Sequence, residues 1–466
     1  MTSFWRAVIF ILTVIVIFGG TILAIFYARG FRVDLGNKSI GSTGLLVATS
    51  VPDGAQVWVN GILRTATNAT VALTPGEINV EIKKDGFSTW KKQITLKAEE
   101  VVKTDATLFP VLPNLRPMTF SGAVNPLLSP LGDRLVYATP LSDQPLASPS
   151  PQPKGVGASG LTATKSATGI TGVSNQSLSN QLPTKTGLWV MDLIDMPLGF
   201  SREPRQIARS TAALDWSKAL TFWSPDERQI LAVFLTKPPV SNKYIRQSDL
   251  KNAYLLDPSK LNTTADLIDV SKDISIIASQ WAAQRKQTAS TQMGKLPAQV
   301  RGILAGSISS FKFSPDETKI VYQATVSATL PDGLLPTLPG SNSQPQQRTI
   351  HAGGIYVYDL KEDRNFWVKD LPILPSVQKG VIELDGTELF DTPSVISWFP
   401  TSRHLLWLNG DKITVIEYDG TNSADVYTGP FIGNVVFPTS NGSKMIILTN
   451  LGSATQVGNL YSLILR

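Results

Sequence analysis

The 466-residue sequence predicts an all-β protein carried behind an N-terminal transmembrane helix. Three observations predict it. Residues 7–28, AVIFILTVIVIFGGTILAIFYA, form one apolar run without a charge. Residues 44–110 alternate apolar and polar positions between turn signals, the pattern of a small β-module. From 111 to 466 a strand, turn and strand unit recurs, and a repeat at this scale outranks any local motif as evidence of architecture.

The elements follow in order. Residues 1–6 are a short flank to the apolar run at 7–28, which at ~1.5 Å rise per residue makes a helix of roughly 33 Å, enough for a hydrocarbon core of about 30 Å. A cleavable signal has a shorter apolar region, about 7–15 residues, that ends on small side chains. Here the end reads Ile25-Phe26-Tyr27-Ala28-Arg29, so an uncleaved single-pass anchor is expected. Orientation is not decided by charge, because Arg6 faces Arg29, Arg32 and Lys38 across the run. Residues 29–43 read as a stalk.

Composition bounds the partners. Forty-two basic against 36 acidic residues give a formal net charge of +6 without a long basic block, so no nucleic-acid partner is expected. The chain has no cysteine, which excludes disulfides, thiolate metal sites and cysteine nucleophiles together.

Within 44–110, Leu45 to Thr49 runs into a turn at Pro52-Asp53-Gly54-Ala55, and Val57-Trp58-Val59 into Asn60-Gly61. Asn-Gly is the preferred pair for a tight hairpin, since both central positions need positive φ. Thr70 to Leu73 meets Pro75-Gly76, Ile78 to Ile82 alternates out to Asp85-Gly86-Phe87, and Trp90 to Leu96 is a last strand. The module resembles the PEGA family, whose Pro-Glu-Gly-Ala signature reads Pro52-Asp53-Gly54-Ala55 here. Matching stretches also cover Val57 to Gly61, Leu73 to Gly76 and Lys84 to Trp90. The resemblance implies a small surface β-domain of bacterial envelope or signalling proteins, used as a spacer or binding module, and it implies no chemistry.

The repeat units begin at Leu127-Leu128-Ser129-Pro130-Leu131-Gly132-Asp133, Phe222-Trp223-Ser224-Pro225-Asp226-Glu227, Phe311-Lys312-Phe313-Ser314-Pro315-Asp316-Glu317, Trp398-Phe399-Pro400-Thr401 and Val436-Phe437-Pro438-Thr439. Third strands such as Gly187 to Leu193 and Gly354 to Leu360 follow. Four short antiparallel strands per unit, stacked radially, make a β-propeller. The pattern resembles TolB-like and tryptophan-aspartate-repeat propellers, with about five blades. The last unit lacks a fourth strand, and an unpaired edge invites aggregation, so a strand near Thr104 to Leu115 is expected to close the ring.

With strands named a to d from the channel outward, b–c and d–a connections emerge on one face, and a–b and c–d turns on the other. Inserts 141–186 and 326–352 are b–c connections, while 271–306 and 371–393 are d–a connections, so all four are expected to crowd one face. Thirty of the 46 residues in 141–186 are Ser, Thr, Pro, Gly, Gln or Asn, too polar to offset ordering entropy, and 141–186 and 326–352 read as flexible. Helix-like spacing of Ile274, Ile277, Trp281 and Ala282, then Leu296, Val300 and Leu304, predicts a helical insert capping the propeller.

Catalytic patterns fail one by one. Gly155 to Gly160 matches GxGxxG without a preceding strand or following helix. Ser88-Thr89-Trp90-Lys91 matches SxxK at a strand start without companion motifs. His351 and His404 lie in different units, too few for a histidine metal site. Asp226 and Asp316 follow Ser-Pro, where a carboxylate caps the turn locally. No catalytic, cofactor-binding or metal residue is expected, and no cofactor. The expectation is a membrane-anchored extracytoplasmic binding or scaffolding protein, with a protein or cell-envelope polymer partner on the insert-bearing face. The alternatives are a TolB-like accessory of a transport or secretion complex, and a propeller hydrolase with an unrecognised site.

Overall fold

The computed structural model describes residues 3–28, 31–34, 39–141, 186–194, 203–237, 244–373, 381–384, 387–391, 396–433, 435–451 and 457–466. The chain opens with helix α1 (Ser3–Ala28), whose segment Val8–Ile25 has a mean hydropathy of 2.9 and is long and apolar enough to cross a membrane. Its two hydroxyls do not break that character. Thr13 and Thr21 each donate to the carbonyl four residues back, Ile9 at 2.8 Å and Ile17 at 2.7 Å. The expected stalk holds a short antiparallel pair, Phe31–Asp34 with Ser39–Ser42.

The β-module is a two-sheet sandwich. One sheet runs Ile62–Ala66, Gln56–Val59, Gly76–Lys83, Trp90–Leu96, and the other Val101–Lys103, Gly44–Ala48, Ala69–Leu73. Period-two burial, with Val57 and Val59 inward and then Ile78, Val80 and Ile82, supplies a core shared with Leu46, Trp90 and Leu96. Asn60 and Gly61 both take positive φ (50° and 78°), as the hairpin required.

The propeller contains five four-stranded antiparallel sheets among the described residues, with inner strands Val124–Leu128, Leu220–Trp223, Ile308–Phe313, Ile396–Trp398 and Val436–Pro438. The fifth sheet takes its outermost strand from Asn114–Pro117, paired antiparallel with Asn459–Ile464. Closure therefore comes from before the first unit, as expected, but only from the end of the 104–115 stretch and the two residues beyond it. Val101–Lys103 and Ala106–Thr107 instead pair parallel with Gly44–Ala48 and Ser50–Val51, so the β-module keeps them.

Apolar clusters join neighbouring sheets in sequence: fifth with first through Phe437 and Tyr137, first with second through Val190 and Trp223, third with fourth through Phe366 and Leu405, fourth with fifth through Val415 and Met445. The second and third sheets are bridged differently. Helices α2 (Ile274–Met293) and α3 (Ala298–Ser307) stand at this step, α2 burying Ile274, Ala278 and Trp281 against Phe222, Leu231 and Val233 of the second sheet. The α3 side chains Val300 and Leu304 pack on Ile320, Tyr322 and Tyr356 of the third. The insert is thus not a cap but a link in the ring. Its apolar stripe is core, confined to the first half of α2 because the sequence from Gln284 onward is polar and largely exposed.

Two expectations about inserts are corrected. Residues 326–352 are not a flexible loop: Ala328–Thr329 pairs with Thr349–Ile350, and Leu330 and Ile350 are buried beneath α3. Nor do they stay on the insert-bearing face. Gln347 exchanges hydrogen bonds with Asn365 on the outer strand of the third sheet, the Gln344 carbonyl accepts from Arg364, and Asn342 N–H donates to Glu362 in the c–d turn. The segment therefore crosses the sheet edge to the opposite face. Of 371–393, residues 381–384 and 387–391 form a hairpin whose first strand pairs parallel with Tyr244–Ile245, and Leu384 is buried with Trp281. The insert 141–186 lies, apart from its two end residues, outside the described residues.

Candidate binding site: the module junction and a tryptophan cleft

The β-module docks on the a–b and c–d turns of the fourth sheet. Lys92, on the module's edge strand, places its ammonium 2.5 Å from Glu417 Oε2 and 2.6 Å from Asp419 Oδ2, with Asp419's side chain wholly buried. Trp90 Nε1 donates to the other oxygen of Glu417 at 2.5 Å. Asp419 also accepts from Thr421 at 2.6 Å and from Asn342 at 2.7 Å. Burial alone pushes the Lys92 ammonium down, but the two carboxylates outweigh it and hold it above its ordinary value. By the same balance burial raises Asp419 while Lys92 pulls it further down, leaving it below the usual carboxylate range.

Peripheral contacts frame this centre. Arg403 pairs with Asp105 at 2.7 Å, Lys91 N–H donates to Asn422 at 2.8 Å, and the 326–352 segment holds the module through Gly340 N–H to Glu100 (2.5 Å) and Gln344 Nε2 to the Gln93 carbonyl (2.6 Å). Phe109 inserts into the cluster of the fourth and fifth sheets, edge-on to Phe399 and His404 at 6.0 and 5.5 Å. Module and propeller are joined by a buried ion triad, an apolar plug and a strap.

The residues singled out in the sequence take structural places. His404 is buried beside Phe109 and Phe399, within hydrogen-bonding distance (3.1 Å) of Thr401 Oγ1, and burial pushes its imidazole down to about 3. Asp226 and Asp316 cap their turns, accepting from Ser224 and Arg228 N–H and from Ser314 and Thr318. Glu227 accepts from Leu131 N–H and pairs with Arg134 of the first sheet at 2.6 Å, while Glu317 meets Gln292 and Lys295 at the end of α2. Of the SxxK match, Ser88 accepts from Phe109 N–H, Trp90 is buried, and Lys91 pairs with Glu81 at 3.1 Å. The GxGxxG match lies outside the described residues. No cluster of three or more metal-ligating side chains occurs among the described residues.

A cleft missed in the sequence opens between the third and fourth sheets. It encloses about 340 Å3 and is lined by Trp367, Lys369 and Asp370 on one side and by Ile396, Trp407 and Ile416 on the other. Lys369 Nζ lies 3.4 Å from the Trp407 ring centre. Trp367 Nε1 donates to Asp370 Oδ1 at 3.0 Å, and the same oxygen meets His351 Nε2 at 2.7 Å. The other ring nitrogen, Nδ1, lies 2.7 Å from the Tyr356 hydroxyl. With Nε2–H donating and Nδ1 accepting, the neutral imidazole satisfies both partners. The hydrogen bond from Trp367, then that from His351, holds Asp370 below the usual carboxylate range.

One family model bears on this division of the chain. Residues 35–111 match the PEGA domain family model. Among solved structures, a putative TolB from Agrobacterium tumefaciens aligns at 10% identity over 73% of this chain and 78% of that chain, with a TM-score of 0.20. TolB from Acinetobacter baumannii aligns at 9% identity over 95% of this chain and 67% of that chain, with a TM-score of 0.19. No curated protein matches the sequence. Its own sheets make this a β-propeller chain, with a PEGA domain at residues 35–111 and an apolar N-terminal helix.

Proposed function

We propose that the protein is an uncleaved, single-pass membrane protein that displays its β-propeller on the extracytoplasmic side as a non-catalytic binding or scaffolding element. The observation that supports this reading is the buried Lys92–Glu417–Asp419 junction, which holds the PEGA domain, next in the chain after the apolar helix and stalk, against one propeller face. The PEGA domain follows the anchor and stalk in the chain and sits on the a–b and c–d turns. The opposite face, from which α2 sets out and to which the 371–393 connection belongs, is turned away from the PEGA domain and toward a partner. Loops and appended elements on rigid scaffolds carry binding more often than stability.

The test is site-specific crosslinking in intact cells. A photoreactive side chain at Gln280 or Gln284, both exposed on α2, is expected to give a discrete adduct. The same probe at Lys361, exposed on the opposite face, is expected to give none. Adducts at Lys361 and none on α2 would show that the face has been assigned backwards.

A further inference from the structure

We propose that the cleft between Trp367 and Trp407 binds a pyranose ring of an envelope glycan, with an indole face as the stacking platform and Lys369 and Asp370 as the polar contacts. The proposal deepens the binding role above and rests on its outward orientation for access to glycan in the cell.

The geometry is that of a prepared site. Trp367, on the outermost strand of the third sheet, is 42% exposed, and its ring is oriented by the Nε1 bond to Asp370. The Tyr356–His351 pair holds the same carboxylate oxygen a second time, through His351 Nε2. Only Oδ1 is spent on these bonds, and a carboxylate keeps acceptor capacity on its second oxygen. Lys369 brings an ammonium with three N–H donors, held over the Trp407 ring. The cleft thus offers an apolar face, an acceptor and a donor in one lining, and about 340 Å3 lies at the small end of ligand sites. A pyranose presents the complement. Its axial C–H bonds make a flat, slightly positive face that suits the negative face of an indole, and its hydroxyls both donate and accept.

Other ligand chemistries fit less well. Two indoles and a carboxylate suggest a cation cage, but the Trp407 face already carries the Lys369 ammonium, so a second cation meets its repulsion. A phosphorylated ligand finds a single ammonium beside a carboxylate. Asp370 at the end of its strand and Trp407 near the b–c end of the next place the polar end of the cleft toward the face opposite the PEGA domain.

The experiment uses the full chain in phosphatidylcholine nanodiscs, without maltoside detergents, whose headgroup is itself a sugar. Chitohexaose and cellohexaose are titrated by calorimetry, with tetramethylammonium as the cation probe. At least one hexasaccharide is expected to bind, and Trp367→Ala to weaken it tenfold or more. Asp370→Asn, which keeps the side-chain shape, is expected to weaken it several-fold with an unchanged melting temperature. Trp58→Ala in the PEGA domain is expected to leave binding unchanged. The proposal is overturned if neither sugar binds, if Asp370→Asn and Trp367→Ala leave binding intact, or if tetramethylammonium binds and the sugars do not. Nanodisc binding does not depend on orientation in the cell. A negative titration therefore leaves the crosslinking test of the display role standing, whereas an inward-facing propeller would remove access without touching the titration.

Discussion

Replacing Lys92 by Met removes the one ammonium between two buried carboxylates. In the native protein the Lys92 side chain is 11% exposed, and Glu417 and Asp419 are 7% and 0% exposed, so neither carboxylate gains water when the ammonium leaves. Breaking a buried pair from one side costs about 3–5 kcal/mol, chiefly the penalty of the stranded charge. Glu417 keeps Trp90 Nε1, and Asp419 keeps Thr421 and Asn342, which places the expected loss near ~3 kcal/mol, the lower end of that range. The pH dependence has a definite sign. In the wild type the depressed Asp419 contributes stability above its unfolded value of about 3.9, lost as pH falls through the folded value. The raised Lys92 contributes stability below about 10.4, lost as pH rises through its folded value. In Lys92→Met the two like charges raise a carboxyl instead. The destabilisation is then greatest at neutral pH and is relieved on acidification toward pH 5, opposite to the wild type. Thermal unfolding across pH, with hydrogen exchange of 90–95 and 417–423, measures both. The triple variant Lys92→Met/Glu417→Gln/Asp419→Asn is expected to recover most of the loss. A Lys92→Met protein within about 1 kcal/mol of wild type, with unchanged exchange at the junction, would refute the claim that this triad locks the PEGA domain to the propeller.

Leu463, fully buried where the closing sheet meets the fourth, is expected to cost about 2–5 kcal/mol as Leu463→Ala, with faster exchange at 114–117 than at 44–48. His404, held neutral down to about 3, binds its proton in the unfolded chain first. Stability is therefore expected to fall by roughly 1.4 kcal/mol per pH unit below about 6.5, and His404→Phe to flatten that slope in acid unfolding curves. Replacing 144–184 by a short Gly/Ser linker is expected to leave the melting temperature nearly unchanged, since each doubling of a loop costs only about 0.6 kcal/mol.

The fold was legible where local chemistry repeats. The Ser-Pro-Asp turns announce the hairpins of the second and third units because the serine and aspartate cap them within five residues, and Asn60-Gly61 announces its own φ angles. The missing strand of the last unit announced closure, because an unpaired edge is a physical defect that the chain must repair. The junction was not legible. Trp90 and Lys92 lie 327 and 325 residues from Glu417, and nothing local in their strand points to that partner. Composition misled at 326–352, since a loop rich in Pro, Gly and Ser can still be fixed by backbone groups such as Gly340 N–H on Glu100. The hairpin at 381–391 carried a missed signal, the Asp385-Gly386 pair between two alternating runs. Trp367 and Trp407 belong to different repeats, and only the packing of two sheets makes them neighbours.

The display role requires the propeller to lie outside the cytoplasm, and the absence of cysteine makes that directly measurable. A single cysteine at exposed Gln284, probed with a membrane-impermeant maleimide on intact cells whose wall barrier has been removed, is expected to label as fully as in lysed cells. Labelling that appears only after lysis would contradict the display of this propeller to envelope partners.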